Sequence, residues 1–150
     1  MLIFFNGYIL IEDEQYIYYK ENGGSYKSIK LVIPKIGVDK FIYDMDSEFN
    51  NVDYNIELLD SSVINNNVYY FASHSGNGDN CYFNRVKELE NGDVIYVFIG
   101  DRKLIYEVVL RYFVVKNGYM EVDEDIDNVL FLITCSGHNR QLIVKAELIN

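Results

Sequence analysis

Phe131-Leu132-Ile133-Thr134-Cys135 is a short apolar run that ends on a cysteine; Arg140 follows five residues after Cys135, at the head of a second apolar run, Gln141 to Ile149. A short, continuous apolar run bounded by small polar residues reads as a buried strand. Ser136-Gly137-His138-Asn139 is then a tight connection, and Gln141 to Ile149 is the strand that closes the fold. The first strand ends on a thiol, and a planar, five-donor guanidinium opens the second.

Working outward, the same pattern repeats. Val94 to Ile99 and Leu104 to Val115 are apolar runs rich in Val, Ile, Tyr and Phe, and Gly100-Asp101 between them makes a hairpin. Val68 to Ser73 is a buried-type strand that stops at His74, preceded by a turn at Asn65-Asn66-Asn67. Ser28 to Pro34 and Lys40 to Tyr43 are two further strands. Cys81 to Leu89 is compatible with a short helix, and the acidic stretch Asp44 to Asp60 with a turn and one or two turns of helix. Residues 1–27 read as an irregular, Tyr-rich lead-in with a turn at Gly23-Gly24. The expectation is a lead-in over 1–27 and one all-β domain over 28–150. Seven or eight strands with little helix make it a closed β-barrel or a sandwich.

Composition agrees. Fourteen Tyr, nine Phe and a single proline in 150 residues favour strands, and the length is enough for one core and a shallow cleft. The formal charge of −10 excludes the basic stripe that a nucleic-acid binder uses to neutralise phosphates, and it disfavours an anionic membrane surface. Cys81 and Cys135 are too few for a disulfide scaffold, though one bridge is within their number. The apolar runs Met1 to Phe5 and Tyr8 to Ile11 are interrupted by Asn6-Gly7. Together they fall short of the roughly 20 apolar residues needed to span a bilayer, and they lack the basic start of a signal peptide.

Few constellations can carry chemistry, because the chain has two cysteines and two histidines. Cys135 stands where a rigid strand gives way to a loop, a place that fixes a nucleophile yet leaves it accessible; the plainer reading is a buried structural cysteine. His74 closes a strand before the Gly-rich loop Ser75 to Asn80 and suits acid/base work near neutral pH, against the plainer reading of a turn histidine. His138 is a rival, but three residues from Cys135 on a short loop it is awkwardly placed to face the thiol. Alternation puts Arg140 on one face with Leu142, Val144, Ala146 and Leu148. There it either pairs with a carboxylate or clamps a carbonyl oxygen as it gains charge. His74, Cys81, Cys135 and His138 also total the four ligands of a structural zinc site, without the tight Cys-x-x-Cys spacing. Asp123, Glu124, Asp125 and Asp127 form an acidic loop that reads as a solvated face; calcium is compatible with it, but no EF-hand spacing is present. No metal or other cofactor is expected.

Three segments resemble the sortase family. FASHSGNGDNCYFNRVKELENGDVIYVF, from Phe71, is similar to the sortase centre, with its strand, histidine turn, short helix and Gly-Asp. FLITCSGHNRQLIVKAELI, from Phe131, is similar to the family's Thr-Leu-x-Thr-Cys element, its arginine and its closing strand. KLVIPKIGVDKFIY, from Lys30, resembles the first strand pair. The likeness runs over about residues 28 to 149. It implies a closed eight-stranded β-barrel with one or two short helices, and a cysteine transpeptidase of Gram-positive cell surfaces. Such an enzyme cleaves an LPXTG-like sorting signal through a Cys thioester and passes it to an amine of the cell wall or a pilin subunit. The resemblance makes Cys135 the nucleophile, His74 the acid/base and Arg140 the oxyanion clamp, with Thr134, Ser73 and Ser75 at the substrate. It implies surface proteins bearing sorting signals as partners, and a site at the outer face of the cell membrane with the anchor missing from this chain. Phe131 stands where the family has its first Thr, and the connection from Cys135 to Arg140 is short. A sortase-like hydrolase and a non-enzymatic barrel module remain the alternative readings.

Overall fold

The computed structural model describes residues 2–5, 8–11, 28–116 and 126–150. The first two strands, β1 (Leu2–Phe5) and β2 (Tyr8–Ile11), pair antiparallel, with Phe5 opposite Tyr8. This part of the lead-in is therefore not irregular. The Asn6-Gly7 dipeptide that interrupts the apolar runs is also the strongest short hairpin signal a sequence carries.

The rest forms one eight-stranded sheet from β3 (Ile29–Ile33), β4 (Val38–Ile42), β5 (Glu57–Leu58), β6 (Tyr69–Ala72), β7 (Val94–Ile99), β8 (Arg102–Val115), β9 (Val129–Cys135) and β10 (Arg140–Leu148). Its order is β4-β3-β7-β8-β10-β9-β6-β5, and it curls into a nearly closed all-β barrel. Every described pairing is antiparallel except β6 with β9. The short helix expected over Cys81 to Leu89 is a single 3-10 turn, Val86–Glu88.

Two side-chain amides manage the sheet's edges. Asn55, fully buried, donates from Nδ2 to the Phe41 carbonyl on edge strand β4 at 2.9 Å. It bridges the seam toward the other edge strand, β5, which begins two residues later. Asn50 stands in for a missing neighbour of β5: its Oδ1 accepts the Leu58 N–H at 2.7 Å and its Nδ2 donates to the Leu58 carbonyl at 2.8 Å. Edge groups satisfied this way are not free to recruit another chain.

The barrel interior takes alternate residues of each strand. Leu31 and Ile33, Ile95 and Val97, Tyr106 and Val108, Leu130 and Leu132, and Leu142, Val144 and Ala146 belong to one core. Phe83, Val86 and Leu89 close into the same core. Each large side chain so buried contributes about 1.5–3 kcal/mol. The β6–β9–β10 wall is apolar on its other face as well, where Tyr70, Val129, Ile133 and Ile143 form a second buried cluster and Tyr70 stacks on Phe131 with ring centroids 4.7 Å apart. Burial on both faces explains why Val68 to Ser73 and Phe131 to Thr134 read as continuous apolar runs rather than alternating ones.

Strand β8 changes face halfway. Ala146 pairs with Val108 and Lys145 with Leu110, so Val109 is an extra, unpaired residue. Before this bulge Leu104, Tyr106 and Val108 point into the barrel. After it the parity inverts, as a one-residue insertion must. Val114 now packs with the outer cluster, and Arg111, Phe113 and Val115 take the inward parity at the barrel mouth. Arg111 uses that placement to donate from Nη1 to the carbonyls of Lys87 and Leu89, the latter at 3.3 Å, tying down the Val86–Glu88 turn.

Candidate active site

The parallel β6–β9 pair builds the site. Tyr69 pairs with Leu130 and Ala72 with Ile133, so the same register carries Ser73 alongside Thr134 and His74 alongside Cys135. Residues opposite one another in a parallel pair share a face, and neighbouring strands lie about 4.8 Å apart. His74 and Cys135 thus emerge side by side, on the face of Ala72 and Ile133.

The pairing continues past the end of β6 through three hydrogen bonds. The Ser73 N–H donates to the Ile133 carbonyl at 3.2 Å. Thr134 Oγ1, buried, donates to the Ser73 carbonyl at 2.9 Å. Ser75 Oγ donates to the Cys135 carbonyl at 2.8 Å. The residues on either side of His74 are therefore clamped to the residues at and before Cys135. On the far side the His74 carbonyl accepts the Phe83 N–H at 3.2 Å, and the Phe83 ring is fully buried in the core. The His74 ring meets a carboxylate, with Nε2 lying 3.0 Å from Asp53 Oδ1. Asp53 is held in turn by its own N–H donating to Asn51 Oδ1 at 2.9 Å and by Asn80 Nδ2 donating to its carbonyl at 2.6 Å.

Cys135 and Cys81 are both free and half-buried. Cys81 packs against the loop that leaves His74: a Cβ added at Gly78 would lie 3.4 Å from its sulfur, and one at Gly76 3.7 Å. Gly76 also has φ +116°, which only glycine adopts without strain. The Cys135 sulfur has a different neighbour, Lys116, whose Nζ donates to Sγ at 3.5 Å.

Arg140 shares the parity of Leu142, Val144 and Ala146, as alternation requires. Those three are buried, while Arg140, at the strand's mouth, is exposed. No carboxylate pairs with it among the described residues. Its guanidinium carbon sits 4.4 Å from the centroid of the half-exposed Phe113 ring, the residue that the β8 bulge turns to this face.

The sequence residues thus take distinct places. His74 and Cys135 are brought together. Arg140 lies just beyond them, where its backbone carbonyl accepts the Ser136 N–H at 2.8 Å. Thr134 and Ser73 are buried, and their polar groups hold the frame. His138 is exposed in the connecting turn. Among the described residues no three His, Cys, Asp or Glu side chains converge as metal ligands. Of the acidic loop read for calcium, Asp123, Glu124 and Asp125 lie outside the described residues. Asp53, Lys116 and Phe113 were not singled out from the sequence. Lys116 and Phe113 reach the site through register and a bulge, which leave no local mark on the chain, and Asp53 through a turn held by Asn51 and Asn80.

A near-closed β-barrel with a cysteine and a histidine side by side at the ends of two parallel strands, and an arginine opening the next strand, defines a narrow class of protein. The sortase-domain family model matches residues 31–149. The chain belongs to the sortase family. Solved structures agree in fold. Sortase C-1 from Actinomyces oris superposes with a TM-score of 0.71 at 24% identity, covering 93% of this chain and 84% of that one. A lid mutant of sortase A from Corynebacterium diphtheriae gives 0.69 at 21%, covering 82% and 70%. Clostridium perfringens sortase C, solved with the C-terminal cell wall sorting motif, gives 0.66 at 23%, covering 81% and 69%. No curated protein matches the chain. No helix among the described residues is long and apolar enough to cross a membrane.

Proposed function

We propose that this chain is a cysteine transpeptidase that cleaves an LPXTG-like sorting signal and transfers the acyl part to an amine of the cell wall or a pilin subunit. The observation that carries the reading is the register of β6 on β9, which sets His74 beside Cys135 and locks the two segments with three hydrogen bonds. A thiol with an imidazole at its side is the minimal activated nucleophile. In the first half-reaction the Cys135 sulfur bonds to the peptide carbonyl carbon and its proton passes to His74. The carbonyl oxygen gains charge, which the Arg140 guanidinium stabilises with its fork of donors. The C–N bond then breaks, and His74 returns the proton to the leaving amine. In the second half, an incoming amine bonds to the thioester carbon, the C–S bond breaks, and His74 carries the amine's proton to the sulfur. Asp53 orients the imidazole, and Thr134, Ser73 and Ser75 keep it in register with the thiol. The site of action is the cell surface, where sorting-signal proteins are displayed.

The decisive experiment is cleavage of a sorting-signal peptide library, read by mass spectrometry with and without a glycine or diamine acceptor. Expected are cleavage at one bond and a product mass shifted by the acceptor. Cys135→Ala abolishes the reaction and Cys81→Ala leaves most of it. Loss of activity in Cys81→Ala alone would place the nucleophile on the wrong cysteine. Hydrolysis that no amine diverts would make the protein a sortase-like hydrolase instead.

A further inference from the structure

Two cations stand at this end of β8 and β10, on different faces, and one of them meets the thiol. Arg140 has the parity of the barrel interior and lies against Phe113. Lys116 follows Val114 by two residues. Val114 pairs with Gln141, and Gln141 pairs with Cys135, so these three form one row across β8, β10 and β9. Lys116 therefore projects from the face that carries Cys135. Its backbone is fixed there, because its N–H donates to the Asn139 carbonyl at 2.7 Å. Across two strand spacings, about 10 Å, only a long side chain reaches the sulfur, and the Lys116 Nζ arrives 3.5 Å from it. Among the described residues Lys116 makes no carboxylate ion pair, and its ammonium meets the sulfur.

We infer that Lys116 is a further catalytic residue, whose ammonium donates a hydrogen bond to the Cys135 sulfur and stabilises the charge that sulfur carries as attacking and as leaving group. The inference rests on the thioester reading above. It divides the work between the two cations: Lys116 serves the sulfur, and Arg140 serves the substrate oxygen on the opposite side of the reacting carbon. A point charge on a flexible stem suits a spherical sulfur, as a fork suits a carbonyl. No proton changes hands at Lys116, so the balance of the reaction is unaltered.

The test is the rate of Cys135 alkylation by iodoacetamide in the Cys81→Ala background at fixed neutral pH, for Lys116→Gln, Lys116→Arg and, as a charge control, Lys103→Gln. Lys116→Gln is expected to slow alkylation about two- to fivefold, the range for an exposed charge contact. Lys116→Arg should restore most of the rate. The difference should shrink in about 1 M salt, where the screening length falls to about 3 Å. Equal rates for Lys116→Gln and wild type, or an equal slowing in Lys103→Gln, would overturn the inference. So would a substrate remnant found in isopeptide linkage on Lys116 after turnover, because the residue would then be an acceptor. Alkylation needs no peptide substrate. If the wild type cleaves nothing, the functional reading fails while the Lys116 contact is still decided.

Discussion

Replacing Thr134 with Val probes the frame that holds the site without touching the reacting atoms. The two side chains match in shape, so the substitution removes one hydroxyl and leaves the packing. That hydroxyl is buried and donates to the Ser73 carbonyl at 2.9 Å, one residue before His74. Losing it strips a partner from a buried carbonyl, which costs about 1–3 kcal/mol. For a domain of this size, about 2 kcal/mol lowers Tm by roughly 4–8 °C. Catalysis should suffer beyond stability. With the brace gone, the His74 segment relaxes away from β9, and a displacement of about 1 Å in a catalytic group can cost a hundredfold. Peptide cleavage by Thr134→Val should therefore fall about ten- to a hundredfold in kcat, measured well below its Tm. Thr134→Ser keeps the donor and should retain most of the activity. Circular dichroism melts and steady-state kinetics on the two variants settle the matter. If Thr134→Val melts and turns over like the wild type, the register of His74 on Cys135 does not depend on this bond.

Two more outcomes follow from other contacts. The Tyr69 hydroxyl is buried with no hydrogen-bond partner among the described residues, and burial raises its pKa to about 12. Because the unfolded tyrosine ionises first, near pH 10, stability is held below that pH and lost as pH rises toward 12. Tyr69→Phe removes the unpaired group, so it should raise Tm at pH 7 and flatten the alkaline loss; a lower Tm in melts across pH 7 to 11 would show that the hydroxyl has a partner. Asp53→Ala takes away the carboxylate 3.0 Å from His74 Nε2, in an exposed pair. It should lower kcat about three- to tenfold while leaving Tm nearly unchanged. A loss of stability without a loss of rate would make the contact structural.

Much of the fold is legible in the chain. The β6, β9 and β10 runs stand out because their wall is packed on both sides, and the hairpin of β7 and β8 because Gly100-Asp101 separates two long apolar runs. The seam is not legible. Asn50 and Asn55 look like ordinary loop residues until each amide is seen against a strand backbone. The site divides in the same way. Cys135, His74 and Arg140 mark themselves by rare residue types at strand ends. Thr134, read as lining the substrate, turns its hydroxyl to a backbone carbonyl because its parity points inward. Lys116 and Phe113 are set by the register of β8 on β10 and by the unpaired Val109, which inverts the parity of every residue after it. A single inserted residue cannot be distinguished from regular strand by composition.

The parallel pairing of β6 with β9 has a consequence for the order of assembly. Its contacts join residues about sixty positions apart, as the Ser75 to Cys135 bond shows. The β7–β8 and β9–β10 hairpins can form from near neighbours, whereas β6 can dock only after the intervening chain has closed its loop, a slow, entropically costly event. The thiol and the imidazole therefore meet only once that loop has closed. A chain that has not closed this loop carries a cysteine without its histidine neighbour.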